Sequence, residues 1–142
     1  MDGDKTGADP VRVGLLGASQ IAPLAIIAPA AKRDDVEVVA IAARNSERAA
    51  AFAQQHGIGR AVLGYDDLIS DPDINLIYNG LPPVSHAPLS IAAMEAGRDV
   101  LCEKPFAMNA REARRMVAVA ARTGRLCMEG FHYFYHPLFA RV

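Results

Sequence analysis

The apolar run VRVGLL (11–16) is followed at once by Gly17-Ala18-Ser19-Gln20-Ile21-Ala22. A turn that opens a helix aims backbone N–H groups outward, where they can seat a phosphate. The stretch lines up with the phosphate-cradling pattern G-x-G-x-x-G. In that pattern the first glycine makes the tight turn, and the third position needs only a small residue for helix–strand packing. Gly17 and Ala22 meet those two needs. Ser19 replaces the second glycine, and its hydroxyl can donate to a phosphate oxygen. Gln20 and Ile21 complete the candidate contact set. An ordinary strand-to-helix turn would use the same residues, so the weight comes from position, directly after the first strand of an alternating pattern.

A second group lies at the end of the next apolar run. About 20 residues past such a turn, an acid would take the ribose hydroxyls of NAD, whereas an Arg accommodates the extra phosphate of NADP. The chain reads Ala43-Arg44-Asn45-Ser46, with Arg48 one turn on and no acid at the strand tip. The planar fork of Arg44 can grip phosphate, and Ser46 can add a hydroxyl. The dinucleotide predicted is NADP by preference, with NAD as the second choice. A solvated Arg opening a helix is the other reading. The missing acid also speaks against a methyltransferase that holds S-adenosylmethionine by its ribose.

The third group is Glu103-Lys104-Pro105. Lys occurs at positions 5, 32 and 104 alone, beside many Arg. A chain that otherwise uses Arg needs Lys where a titratable amine matters. Such an amine can hydrogen-bond a substrate hydroxyl and carry its proton. A solvated charge pair before a loop is the bland alternative.

The elements that must position these groups follow from patterning. Strands are predicted at 11–16, 36–43, 61–63, 74–79, 99–103 and 125–131. Helices are predicted at 21–33, 45–57, 66–70, 85–97 and 109–124. Pro23 is tolerated near a first turn, and Pro29 should kink or shorten its helix. Strands and helices alternate, and the strands are apolar without strict alternation, so both sheet faces are covered. These features argue for an α/β fold, a doubly wound parallel sheet of Rossmann type built from right-handed crossovers. Arg44, Asn79, Glu103 and Lys104 then all fall at carboxyl ends of strands, where open α/β sheets bind ligands.

Composition bounds the rest. The chain has 142 residues, 51% of them hydrophobic, which suits one globular domain. A formal net charge of −1 offers no footprint for nucleic acid or an anionic membrane. No apolar run approaches the ~18–20 residues of a membrane helix. The polar, acidic start MDGDKTGADP is unlike a secretory signal, and a cytoplasmic location is expected. Cys102 and Cys127 read as reduced, buried thiols rather than a disulfide framework. Residues 1–10 read as a loose tail.

Further residues carry a family resemblance. Tyr78-Asn79-Gly80-Leu81-Pro82 and His86 follow the strand at 74–79, Cys102-Glu103-Lys104-Pro105 closes the next strand, and Glu129-Gly130-Phe131-His132-Tyr133 leads to His136-Pro137. In this order, with the glycine turn, the set resembles the Gfo/Idh/MocA family of oxidoreductases, over roughly residues 11–142. The resemblance implies hydride transfer between a nicotinamide and a hydroxyl carbon of a sugar, cyclitol or diol. It implies that Lys104 is the catalytic lysine, that Pro105 follows a cis peptide and that Glu103 lines the nicotinamide ribose side. Asn79, Leu81, Pro82 and His86 would lie along the path from pyrophosphate to nicotinamide.

Two departures stand out. Relatives usually carry an Arg two residues after the position of His132, where this chain has Phe134. His132 and His136 share an i, i+4 spacing, but with no third ligand in view no metal site is expected. The resemblance also implies a Rossmann domain at 11–131 and the start of a crossing segment at 132–142. The second α/β domain, which supplies most of the substrate pocket, is missing from these residues. Apolar residues from Phe131 to Phe139 would then form an association surface, and a homo-oligomer through the second sheet stays open. A dinucleotide-binding module without catalysis is the alternative function.

Overall fold

The computed structural model describes residues 9–141. The expected tail at 1–10 lies outside them except for its last two residues. Six strands form one sheet: β1 (Val11–Leu16), β2 (Val36–Ala43), β3 (Arg60–Leu63), β4 (Leu76–Asn79), β5 (Asp99–Glu103) and β6 (Cys127–Gly130). Every pairing is parallel, and the order is β3-β2-β1-β4-β5-β6. This is the doubly wound Rossmann order, whose direction reverses between β1 and β4.

The helices connect the strands. The first, α1, is π-wound over Pro23–Ile27 and α-helical over Ala28–Ala30. The others are α2 (Ser46–His56), α3 (Tyr65–Ser70), α4 (His86–Glu95) and α5 (Ala110–Thr123). Strand pleating divides the core in two. Val13, Leu15, Ile41, Ala43 and Tyr78 face one way and pack with Ala22, Ala49 and Ala53 of the α1/α2 layer. Leu16, Ala40, Ala42, Ile77 and Cys102 face the other way, onto Leu68, Met94 and Met116 of α3, α4 and α5. Successive residues of one strand serve opposite cores, which is why the strands read as unbroken apolar runs.

Local chemistry sets the element ends. Asn45 and Asn109 cap α2 and α5, their side-chain oxygens accepting from the N–H of Arg48 (2.7 Å) and Glu112 (3.0 Å). Gly57 and Gly124 close the same helices in the left-handed region. Three elements depart from expectation. The helix at 21–33 contains a π-turn ending just before Pro29, because the proline ring cannot sit against the i−4 carbonyl of a regular helix and the wider turn moves that carbonyl aside. The strand at 74–79 starts at Leu76, because the Asn75 side chain takes the Arg12 N–H at 2.7 Å in place of a ladder carbonyl. The strand at 125–131 is trimmed to Cys127–Gly130, and the Leu126 N–H is taken by Asp99 Oδ1 at 2.9 Å.

Beyond β6 come two short 3-10 turns, His132–Tyr135 and Phe139–Arg141. Their apolar side chains are largely exposed, Tyr133 at 69% and Leu138 at 66% among them. No helix among the described residues is long and apolar enough to cross a membrane.

Candidate active site

Sheet order puts the end of β1 beside the end of β4, so the glycine turn meets the loop carrying Gly80 and Leu81. The contact is tight. Gly17 has φ +91°, and a Cβ there would stand 2.7 Å from Leu81 Cδ2. A Cβ on Gly80 would stand 2.8 Å from the Tyr78 ring and 2.9 Å from Ser19 Oγ. Both positions require glycine, the first for conformation as well as space.

Two grooves meet along this seam, sharing Gly80 and Leu81. One, of about 480 Å³, is bounded by Gly17, Ser19, Arg44, Arg48, Tyr65 and Pro82. Its lining holds two arginines and no carboxylate. Glu47 lies outside it, on the first turn of α2. The other, of about 570 Å³, is bounded by Ile21, Glu103, Lys104, His132, Tyr133 and His136. At the seam, the N–H groups of Ala18, Ser19, Gln20 and Ile21 have no acceptor among the described residues. Ser19 Oγ accepts from Ala22 N at 3.3 Å, and its hydroxyl lies within reach of the Tyr78 hydroxyl. Four unpaired donors beside a helix start form a ready anion cradle.

The residues singled out in the sequence thus divide. Gly17, Ser19, Ile21, Arg44, Leu81, Pro82, Glu103 and Lys104 border the grooves. Gln20 borders a smaller cleft of about 400 Å³ between the turn and α2, shared with Ser19 and Arg48. Asn79 and His86 are buried and border neither groove. Asn79 donates to Ser90 Oγ (3.1 Å) and His86 O (3.3 Å) and accepts from Leu81 N (3.4 Å). The His86 ring bridges two backbone oxygens, Leu81 O and Pro105 O, each at 2.7 Å. These polar side chains face inward because the loops they tie carry carbonyls that would otherwise be buried without donors.

Around Lys104, the Lys104–Pro105 peptide is cis, as the resemblance implies. Lys104 is exposed at the rim. Glu103 is buried, accepts from the Tyr78 hydroxyl at 2.8 Å through Oε1, and accepts from Lys104 N at 3.3 Å through Oε2. Burial, reinforced by the Glu103 hydrogen bond and charge, pushes the Tyr78 hydroxyl up, so the phenol keeps its proton and donates. Desolvation pushes Cys102 up to about 12 and Cys127 up to about 11; Cys102 is buried as expected, whereas Cys127 is only half-buried.

Sequence reasoning names Tyr78 within the motif after the third strong strand but gives it no role, and it gives Arg48 less weight than Arg44. The first reads as a core aromatic. The second is reachable from its helical spacing to Arg44. The turn 132–135 ends before His136, so the i, i+4 ladder of the two histidines does not form. His136 Nδ1 instead accepts from Leu138 N at 3.2 Å. Among the described residues, no group of three or more His, Cys, Asp or Glu could hold a metal ion.

A family model described as "Oxidoreductase family, NAD-binding Rossmann fold" (Gfo/Idh/MocA) matches residues 11–131. The chain belongs to the Gfo/Idh/MocA oxidoreductase family. Among Gfo/Idh/MocA relatives, a dTDP-3,4-didehydro-2,6-dideoxy-alpha-D-glucose 3-reductase from Actinomadura kijaniata is 38% identical over 135 residues, 95% of this chain and 40% of that protein. A trans-1,2-dihydrobenzene-1,2-diol dehydrogenase from Xenopus tropicalis is 39% identical over 108 residues, 76% of this chain and 33% of that protein. The crystal structure of KijD10, a 3-ketoreductase from Actinomadura kijaniata in complex with NADP and TDP-benzene, superposes with a TM-score of 0.87 at 37% identity. The match covers 94% of this chain and 41% of that one. The chain therefore spans between a third and about two fifths of the length of these relatives. The Gfo/Idh/MocA resemblance and the doubly wound sheet expected from the sequence are both met.

Proposed function

We propose that this chain is the cofactor-holding unit of an oxidoreductase that uses NADP(H) in preference to NAD(H). The reaction moves hydride between nicotinamide and a hydroxyl-bearing carbon of a sugar, cyclitol or diol. The observation that carries the reading is one seam holding four unpaired N–H groups and two arginines, with no carboxylate in the arginine-lined groove. Pyrophosphate fits the N–H cradle, and a 2′-phosphate fits Arg44 and Arg48. The relatives support the substrate class: one is a sugar-nucleotide reductase and one a diol dehydrogenase. The KijD10 structure, with its NADP, supports the cofactor.

The bound nicotinamide supplies or accepts the hydride. The chain's residues do the rest. Ser19 and its neighbours hold phosphate oxygens, Leu81 and Ile21 form apolar walls, and Glu103 offers a carboxylate beside the ring's ribose. Lys104 hydrogen-bonds the substrate oxygen at the rim, taking its proton on oxidation and returning it on reduction. In this reading a second domain packs on the apolar surface of residues 131–139 and encloses the substrate.

Titration of the chain with NADPH and NADH by calorimetry tests the reading. NADPH is expected to bind roughly tenfold tighter, the worth of one charge-assisted contact. Tighter NADH binding sinks the preference, and binding of neither sinks the dinucleotide reading. In protein that turns over, Lys104→Ala should remove most activity while sparing NADPH affinity; surviving turnover removes Lys104 from the chemistry.

A further inference from the structure

Beneath the second groove lies a buried carboxylate whose surroundings are incomplete. Glu103 is 7% exposed, and no Lys, Arg or His among the described residues forms an ion pair with it. Its one short donor is the hydroxyl of Tyr78, itself 1% exposed. The Lys104 N–H reaches Oε2 at a longer 3.3 Å. A carboxylate has about four lone-pair sites, so acceptor capacity remains. A desolvated anion with open acceptor sites draws donors. Glu103 borders the groove beside Lys104, so those open sites are available to a bound molecule.

Tyr78 is held firmly enough to set the direction. It sits on β4, where it pairs with Leu101 of β5, two residues before Glu103, so the two side chains share a sheet face. Its ring edge lies where Gly80 lacks a Cβ. Gly130 closes the other side, and a Cβ there would stand 3.4 Å from Glu103 Oε1. The carboxylate is therefore walled on the Oε1 side and pinned by one phenol.

We propose that Tyr78 is a positioning residue, whose hydroxyl aims the Glu103 carboxylate at a hydroxyl of the nicotinamide ribose. This deepens the NADP reading and rests on it. An anion repels phosphate, so the acceptor suits the uncharged riboside end of the dinucleotide and not its pyrophosphate. Removing the Tyr78 hydroxyl costs no ring volume, but it leaves the carboxylate free to rotate away from the groove.

The test compares NADPH with 2′-phospho-ADP, which keeps every phosphate and lacks both the nicotinamide and its ribose. Both are titrated calorimetrically into wild type and Tyr78→Phe. The variant is expected to lose on the order of tenfold in NADPH affinity, the scale of a hydrogen bond to a charged group, and less than twofold for the truncated probe. A merely structural defect would weaken both probes alike, and that result overturns the proposal, as does an unchanged NADPH affinity. In a Glu103→Gln background, Tyr78→Phe should cost NADPH affinity less than in wild type, because the charge it orients is gone. If Tyr78→Phe does not fold, the same ratio of probes is read in Glu103→Ala, where an unchanged ratio overturns the proposal. Failure of wild type to bind either probe overturns the dinucleotide reading itself.

Discussion

The guanidinium of Arg48 donates from Nη2 to the carbonyl oxygen of Ala18 at 3.0 Å, tying the first turn of α2 to the middle of the glycine turn. The bond orients a cation beside the phosphate cradle. It also braces the turn, whose own N–H groups are left unpaired for a ligand. Arg48→Ala should therefore weaken NADPH by roughly tenfold and NADH by less, since an anion contact and a brace are lost together. Paired calorimetric titrations read the ratio. An unchanged ratio would move the 2′-phosphate away from Arg48.

Ser19→Asp introduces a negative charge where pyrophosphate is expected. At ~4 Å and an effective dielectric of ~20, repulsion costs about 4 kcal/mol, roughly a thousandfold in affinity. Binding of NADPH and NADH should both disappear, with the circular dichroism spectrum unchanged. Retained affinity would place the phosphates elsewhere.

His86 links the loop after β4 to the loop after β5 through Leu81 O and Pro105 O. His86→Phe keeps an aromatic ring but takes away both ring nitrogens, breaking the bridge between Leu81 O and Pro105 O at a cost of about 2 kcal/mol. For a domain of this size that lowers Tm by roughly 4–8 °C. Thermal unfolding checks the first part. Weaker NADPH binding below the transition checks the second, because both loops border the grooves. A variant as stable as wild type would show that the bridge contributes nothing.

The thiols give the molecule an alkaline limit. Cys102 and Cys127 titrate higher when folded, at about 12 and about 11, because burial disfavours the thiolate. The unfolded chain releases these protons first, from about pH 8.5 upward. Their stabilising contribution is complete below that pH and is lost as pH climbs through the folded values. Urea midpoints should fall between pH 9 and pH 11, in roughly that window. The double variant Cys102→Ala/Cys127→Ala should fall less steeply. An equal slope would acquit the thiols.

Much of the fold was legible in the chain. The caps Asn45 and Asn109 and the stops Gly57 and Gly124 act within one turn of themselves, so the helix ends they mark follow from residue types. The π-turn before Pro29 was less accessible: proline announces a disturbance, and the packing of α1 on the sheet selects how the helix absorbs it. The starts of β4 and β6 were misplaced because Asn75 and Asp99 replace ladder carbonyls with side-chain oxygens, a substitution made across strands and invisible along one. Asn79 and His86 carry polar atoms at a strand end and a helix start, where residue type cannot say whether they face ligand or carbonyl.

Taken alone, the chain's residue order determined the alternation of strands and helices, the glycine turn, the arginine at the tip of β2 and the Glu103-Lys104-Pro105 corner. These depend on rules that reach only a few residues. The placement of β1 beside β4, the closeness of Gly17 to Leu81 and the grip of Tyr78 on Glu103 belong to the folded molecule. They join distant residues, and distant residues meet only when both faces of the sheet are buried at once.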